Sequence, residues 1–530
     1  MPVDSRRTRR DCFAMARHVT PINSTVLQEK VLRKILRDNA GCSLFARLGI
    51  AKLYAYKDFN LLYQSFVRAV PIVSPRGYLD NLTGMAQQGS VRELTQEPYR
   101  VLMNPKMVSA KPPAALCWWR QQAIPVSTHE INAFLAEEAA WRTRLTGQGH
   151  PIKGAFFYLP EAVPLRHVDD MTLGGFATAV DGMRGFFEKR RALPRLSLMG
   201  DSGGSRMRWF AGLLDQLQHH GEKVEVMVAH PTTLIDFGLY ASQQAGRFLP
   251  LRELCPNLKI LLFNGYDVAV ERMELGYLLA GLPDLKWAQW IWQPSGLNFV
   301  QDDLNLRQRL AVRLGGPVFY EFVPVSDVLP DGKFVRNYRR VHAGMLENGK
   351  EYAVIVSNLA GLMGVSTGQV VKVLQVSPLL VQAKGPLMQL NGLNEGIKEE
   401  GVVQAVSNIN TALQGRGVFV RHALMGHHIA QRQPVWVVEL SRPMSELPDS
   451  VLDSMAKRLH AEMDLRFDGY RKAIREAKMK LPVVHFVGMG SFAAAQLAWS
   501  DMSRLDHTSD AAIVNRILAA AWQVKTIENA

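Results

Sequence analysis

Cysteine is scarce in this sequence, with four residues in 530, and the four are scattered. Cys12, Cys42, Cys117 and Cys255 form no CxxC pair, which argues against a zinc site and a disulfide framework and fits a reducing compartment. Long apolar runs are also missing. The most extended, such as "YAVIVSNLAGLMGV", fall short of the roughly 18 to 20 residues that a membrane-spanning helix needs, and no apolar secretory core opens the chain. A cytoplasmic protein with no membrane partner is therefore expected. Fixed-period repeats and low-complexity tracts are absent as well, which excludes solenoids and disordered arrays. Positive charge is plentiful, at a formal +14, but it is dispersed. Beyond the short "RRTRR" no dense basic block with interleaved aromatics occurs, so a solvated surface that meets an anionic ligand or an acidic partner protein is expected rather than nucleic acid.

What is present is a globular composition, 47% hydrophobic and 21% charged, at a length that calls for two or more domains. Within it lies GDSGG, residues 200–204, the pentapeptide around the nucleophile of trypsin-like proteases. That chemistry needs a His base and an orienting Asp ahead of the Ser. The tempting base, His230, follows Ser202, and "RMRWFAGLLDQLQHHG" reads as an amphipathic helix with Trp209, Leu213, Leu214 and Leu217 on one face. Ser202 to Ser205 is read as a turn and N-cap. The pairs His219–His220 and His427–His428 have no carboxylate at i+4 and are read as ordinary histidines. No metal site is expected.

Residues 24–48 predict one basic amphipathic helix, with Val26, Leu27, Val31, Ile35 and Leu36 at helical spacing. Ser127 and Glu130 make a capping box that opens a helix through "INAFLAEEAAWRTRL". After Leu196 the pattern alternates: helix 205–219, strand "KVEVMVAH", helix 232–246, strand "NLKILLFNG", helix 270–280, strand "KWAQWIWQ". This spacing predicts a parallel, crossover-connected sheet. Past Gly315, "PVFYEFVPV", "KEYAVIVSNLAGLMGV" and "TGQVVKVLQV" predict antiparallel strands. The Gly- and Asn-rich stretch 384–400 is the candidate hinge. A compact α+β unit follows, with a helix, the strand "PVWVVEL", two helices over 448–479, the strand "PVVHFVGMG" and a terminal helix over 509–524.

Six phrases in this order resemble the Gretchen Hagen family of acyl acid amido synthetases: "YKDFNLLYQSFVRAVPI" (56–72), "LCPNLKILLFNG" (254–265), "FYEFVPV" (319–325), "GKEYAVIVSNLAGL" (349–362), "QPVWVVEL" (433–440) and "LRFDGYRKAIREAKMKLPVVHFVGMGSF" (465–492). The resemblance implies a mixed α/β and α+β, adenylate-forming, firefly-luciferase-like two-domain fold. Residues 1–390 would form a large N-terminal domain with a β-barrel and helix-flanked sheets, and 391–530 a small mobile C-terminal domain. It also implies ATP-driven activation of a carboxylic acid followed by transfer to an amine.

The family's nucleotide motifs are altered here. Its Gly/Ser/Thr phosphate loop, counted back from "AIPVS" (123–127), falls on "PAALCWWR", where Arg120 keeps a cation but Trp118 and Trp119 replace small residues. Its Tyr-x-Ser/Ala-Ser-Glu segment falls on "WIWQPSG", with Gln293, Pro294, Ser295 and Gly296 and no carboxylate. Its Tyr-Arg-x-Gly-Asp segment falls on "MGVSTGQ", where Gly368 survives and Gln369 replaces the Asp that accepts the ribose hydroxyls.

Arg120, Ser127, Ser295, Gly296, Gly368 and Gln369 are thus the degenerate nucleotide positions, and Trp118, Trp119, Trp290 and Trp292 the pocket candidates, with core packing as the other reading of the alternating Trp287, Trp290 and Trp292. Arg120 or Lys372 would hold a carboxylate. The expected function is that of a degenerate family member that binds a small carboxylate or serves as the non-catalytic partner of an active paralogue. Two alternatives stand beside it: an active ligase that uses ATP and Mg through an altered site, and a nucleotide-independent acyltransferase that takes an activated acyl group, as from an acyl-carrying protein. No cofactor is required by the first reading.

Overall fold

The computed structural model describes residues 23–73, 101–103, 124–126, 128–147, 153–159, 166–168, 171–173, 206–263, 272–292, 297–301, 309–329, 332–387, 396–413, 415–428, 431–497 and 511–528. Three helices come first: α1 (Ser24–Asp38), α2 (Ser43–Arg47) and α3 (Phe59–Ala69). Asn23 caps α1 by accepting from the Thr25 amide (2.9 Å), and Asp58 caps α3 by accepting from those of Asn60 (2.6 Å) and Leu61 (3.0 Å). Val31, Leu32, Ile35 and Leu36 of α1 pack with Leu62, Tyr63 and Phe66 of α3 in one core. Where the spacing predicts a single helix over 24–48, the chain breaks after Asp38. The buried Asn39 amide donates to Ile35 O (3.2 Å) and Leu359 O (3.3 Å), which turns the backbone out of the ladder. Val26, expected on the apolar stripe, lies 42% exposed.

Strands β1 (Val101–Met103) and β2 (Ile124–Val126) precede α4 (Thr128–Gly147), the helix announced by the capping box. Arg313 ties α4 to the body by donating to both oxygens of Glu137, each at 2.7 Å. Next come β3 (Ala155–Tyr158), β4 (Arg166–Val168) and β5 (Met171–Leu173); β2-β1-β5-β4 make a small sheet. GDSGG lies outside the described residues, but the helix expected after it is present as α5 (Arg206–His220), with Leu213, Leu214 and Leu217 buried. The predicted alternation then follows: β6 (Val224–Ala229), α6 (Pro231–Ala245), α7 (Leu251–Leu254), β7 (Ile260–Phe263), α8 (Arg272–Leu278) and β8 (Lys286–Trp292). β3, β6, β7 and β8 pair in parallel, as that spacing implies.

β9 (Asn298–Gln301), β10 (Leu310–Val312), β11 (Val318–Pro324), β12 (Val341–His342), β13 (Glu351–Asn358), β14 (Val365–Val376) and β15 (Leu379–Pro386) are antiparallel to their neighbours. The two sheet textures belong to one eleven-stranded sheet, in the order β12-β11-β13-β14-β15-β10-β9-β8-β7-β6-β3. Its seam is the antiparallel β8–β9 pair, with Trp290 opposite Val300 and Ile291 opposite Phe299.

A second sheet ends the chain. α9 (Glu399–Leu413) leads to β16 (Val420–His428) and β17 (Gln433–Leu440); α10 (Asp449–Arg466) and α11 (Asp468–Arg475) precede β18 (Val483–Val487). α12 (Ser491–Leu497), α13 (Ala511–Ala520) and β19 (Val524–Ile527) complete it, in the order β16-β17-β18-β19. The terminal helix expected over 509–524 stops at Ala520, because Val524–Ile527 satisfies its backbone on the free edge of β18. No described helix is long and apolar enough to cross a membrane.

Candidate functional site

Ala353 and Ile355 of β13 face Val370 and Ser366 of β14. A single residue separates the first pair, whereas Thr367, Gly368 and Gln369 separate the second, so β14 bulges at this point. Thr367 braces the bulge: its hydroxyl donates to Val354 O (2.9 Å) and accepts from the Gln369 amide N–H (3.2 Å). Gly368, at φ +70°, takes the left-handed backbone that a side chain would strain. Gln369 is fully buried, and neither its side-chain oxygen nor its nitrogen has a hydrogen-bond partner among the described residues.

The equally buried Gln28 shows what a satisfied amide looks like. It donates to Leu314 O (2.7 Å) and Val318 O (3.3 Å) and accepts from Tyr320 N (2.6 Å). A buried amide without partners costs about 1–3 kcal/mol. Gln369→Met, which keeps the volume and removes the polar atoms, is therefore expected to stabilise the ligand-free protein by about 1–3 kcal/mol. Chemical denaturation followed by tryptophan fluorescence measures this; a loss of stability would mean that the amide is satisfied.

The bulge sits where the large sheet ends. Gln369 pairs with Pro386 and Val370 with Gly385. Lys384 donates to Glu400 Oε1 (2.6 Å) at the start of α9, and Lys398 lies 3.6 Å from Glu351. Lys372, one of the cations proposed for a carboxylate, stands opposite Glu351 in the register.

A second polar centre is wholly internal. Arg340 pairs with Glu321 and donates to Val70 O (2.6 Å), its guanidinium 5.6 Å from the centre of the Phe66 ring. Burial pushes the Glu321 carboxyl above the usual carboxylate range despite Arg340 beside it. The Tyr63 hydroxyl is raised by burial and then by the charge of Glu321. Burial lowers His342 to about 4, so its ring is neutral near pH 7 and Nδ1 accepts from the Gly344 amide (3.1 Å). This centre joins α3 to the sheet and offers no reactive group to a ligand.

Of the residues singled out in the sequence, Arg120, Ser127, Ser295, Gly296, Trp118 and Trp119 lie outside the described residues, as does the side chain of Trp292. Trp290 is buried in β8, its Nε1 donating to Asn298 Oδ1 (3.1 Å), and β15, β10 and β9 stand between it and the bulge of β14. The structure brings Gly368 and Gln369 together and keeps Trp290 apart from them. His230, the base considered for GDSGG, follows β6 as the N-cap of α6, with Nδ1 2.8 Å from Thr232 Oγ1. Cys42 and Cys255 are free and buried, and burial pushes the Cys255 thiol up to about 12, which removes it as a nucleophile at neutral pH. Among the described residues no group of three or more His, Cys, Asp or Glu is placed to hold a metal ion.

The bulge offers a neutral amide at Gln369 and holds no acid between Ser366 and Val370. The sequence reading missed the charges buried in apolar strands: Glu321 in "FYEFVPV", Glu439 in "WVVEL" and Arg421 in "FVRHALMG". A lone charge in such a run was the legible signal, since it must find a partner when buried.

Residues 312–383, from the end of β10 into β15, match the GH3 family central domain. By sequence, no curated protein matches the chain. Among solved structures it is similar to AtGH3.15 acyl acid amido synthetase in complex with 2,4-DB, at 14% identity and TM-score 0.73, covering 99% of this chain and 98% of that one. A second structure of GH3.15 acyl acid amido synthetase gives TM-score 0.69 at 14% identity over 94% of both chains. A 2-hydroxyisobutyryl-CoA ligase in the postadenylation state gives 0.54 at 11% identity, over 93% of this chain and 90% of that one. The family resemblance and the adenylate-forming fold read from the six phrases are borne out.

Proposed function

We propose that this chain, a GH3-family protein on an adenylate-forming scaffold, binds a small carboxylate ligand and has an eroded ATP site, so that it differs in chemistry from the acyl acid amido synthetases it is built like. The observation that carries this reading is Gln369, neutral, fully buried and unpartnered among the described residues, at the position where the family resemblance calls for an Asp. A charge-assisted hydrogen bond lost there is worth about 1.5–3 kcal/mol, or one to two powers of ten in affinity. The sequence supports the same conclusion at "PAALCWWR" and "WIWQPSG", which lack the small hydroxyl residues and the carboxylate of the other two motifs.

The chain then acts as a carboxylate-binding, non-catalytic partner of an active paralogue, in the reducing cytoplasmic setting that its cysteine usage supports. Its net charge of +14 suits an acidic partner. We place its division into a large unit and a small one near residue 390: each core cluster described lies wholly before residue 388 or wholly after residue 395.

Pyrophosphate exchange with ATP and Mg across a panel of aryl and alkyl acids tests the reading. No exchange above the enzyme-free rate is expected, together with calorimetric binding of at least one acid and none of ATP. Exchange with any acid would overturn it in favour of an active, ATP-dependent amide ligase. That second reading is favoured by the completeness of the scaffold, which aligns over 99% of this chain.

A further inference from the structure

Residues 23–73, which carry α1 to α3, hold eight Lys or Arg against three Asp or Glu, a net +5 of the chain's +14. All three acids are already engaged: Glu29 by Arg33 (2.8 Å), Asp38 by Lys34, and Asp58 by the amides of Asn60 and Leu61 that it caps. Among the described residues no acid pairs with Lys30, Lys52 or Lys57, and all three are exposed. In the sequence these cations are dispersed, and folding gathers them. Arg33 of α1 reaches across to the turn Leu53–Ala55 and the residues after it, its Nη1 donating to Tyr54 O (3.1 Å) and to Tyr56 O and its Nη2 to Lys57 O (2.9 Å). Lys30 and Arg37, three residues before Arg33 and four after it, stand on the same face of α1.

Apolar side chains share this face. Leu53 is buried and anchors the turn, whereas Tyr54 and Tyr56 are 40% and 45% exposed and Leu61, on the first turn of α3, is 59% exposed. α1 and α3 both pack against the turn, so these residues lie where the two helices meet. Three carbonyls held by one guanidinium fix the backbone beneath the tyrosines before anything binds, which lowers the ordering cost of an interface. Tyrosine offers a large contact area at low conformational cost, and aromatic and aliphatic groups ringed by charge are the pattern of a protein-recognition surface. Asp58 and Asn60, exposed beside Leu61 at the start of α3, would have to lose their water in a bilayer. An oligonucleotide would stack on the tyrosines but gain nothing from Leu61.

We propose that the face formed by α1 and residues 52–61 docks an acidic protein segment that carries apolar side chains among its carboxylates. Tyr54, Tyr56 and Leu61 take the apolar side chains, and Lys30, Lys52 and Lys57 pair with the carboxylates. This names the surface for the acidic partner suggested by the net charge, and so rests on that part of the functional reading. None of these residues belongs to the bulge of β14, so pyrophosphate exchange with any acid would defeat the eroded ATP site and leave this surface standing.

The test is fluorescence anisotropy of the full chain with short labelled peptides in which Glu alternates with Leu and Phe. Saturable binding that weakens as salt rises is expected. Lys52→Glu/Lys57→Glu should weaken it by about tenfold or more, and Tyr54→Ser/Tyr56→Ser by about tenfold with the salt dependence retained. All four side chains are exposed, so thermal unfolding should not move in either variant, which separates lost contacts from a lost fold. Lys52→Ala/Lys57→Ala, with a smaller loss of binding, is the milder check. No saturable binding would overturn the surface. So would equal binding of a peptide in which Ser replaces Leu and Phe, which would reduce the effect to bulk charge. Tighter binding of oligouridylate or of phosphatidylserine vesicles would overturn it too, by assigning the face to nucleic acid or to a membrane.

Discussion

Arg340→Met is expected to destabilise the large-sheet part by about 3–5 kcal/mol, the cost of leaving a buried acid without its counter-charge. Glu321 is fully buried and Arg340 is 7% exposed, so water cannot replace the lost partner. The same substitution also removes the donor to Val70 O at the end of α3 and the cation beside Phe66, so α3 keeps only its packing on Phe319 and the Tyr63–Glu321 contact with β11. The sign of the pH dependence follows from the carboxyl. Glu321 is already raised by burial, and without Arg340 it rises further. An acid whose folded pKa lies above its unfolded value penalises folding in full at pH above the folded pKa, and the penalty fades as pH falls from there to the unfolded value. The deficit of the variant should therefore shrink on acidification. The double variant Glu321→Met/Arg340→Met should recover most of the loss, because two apolar side chains of similar volume fill the site with no charge to strand. Denaturant midpoints of the two single variants and the double, compared at neutral and mildly acidic pH, measure the coupling. A double variant as unstable as the sum of the singles would show that packing, not charge, holds this junction.

Trp436→Ala should cost the C-terminal sheet about 3–5 kcal/mol, in the range for a large aromatic removed from a packed core. Trp436 lies on β17 at zero exposure, within the cluster built from α9, α10 and β16 to β18. Its indole N–H is buried with no acceptor among the described residues. Trp436→Phe should consequently be much milder, since the area it forfeits is partly offset by deleting an unmet donor. The unfolding transition of the C-terminal sheet, followed separately from that of the large sheet, checks both. A Phe variant as damaging as the Ala variant would point to an acceptor for that N–H.

The contrast between Gln28 and Gln369 shows what a reader of the sequence can and cannot see. Both are single glutamines beside apolar residues, and nothing local distinguishes them. Gln28 is met by carbonyls and an amide 286 to 292 residues away, whereas Gln369 sits in a bulge whose existence depends on two extra residues in β14 relative to β13. The resemblance alone singled it out in the sequence, by setting the phrase around it against a family motif. Glu274 had no such signal: it lies in an ordinary amphipathic helix, and only its contact with Arg421 sets it apart.

By itself the sequence determined the order and type of most elements, the parallel character of β6 to β8, the family resemblance and the adenylate-forming fold. Those features follow from hydrophobic period, turn residues and short phrases, all of which act over a few neighbouring residues. Only the tertiary structure decided that the parallel and antiparallel strands form one sheet through the β8–β9 seam, that α1 stops at Asp38, that β19 closes on β18, and that Arg421 bridges to an acid 147 residues earlier. Strand partners, registers and buried charge pairs are chosen by free-energy differences between distant segments, and no local pattern carries that choice.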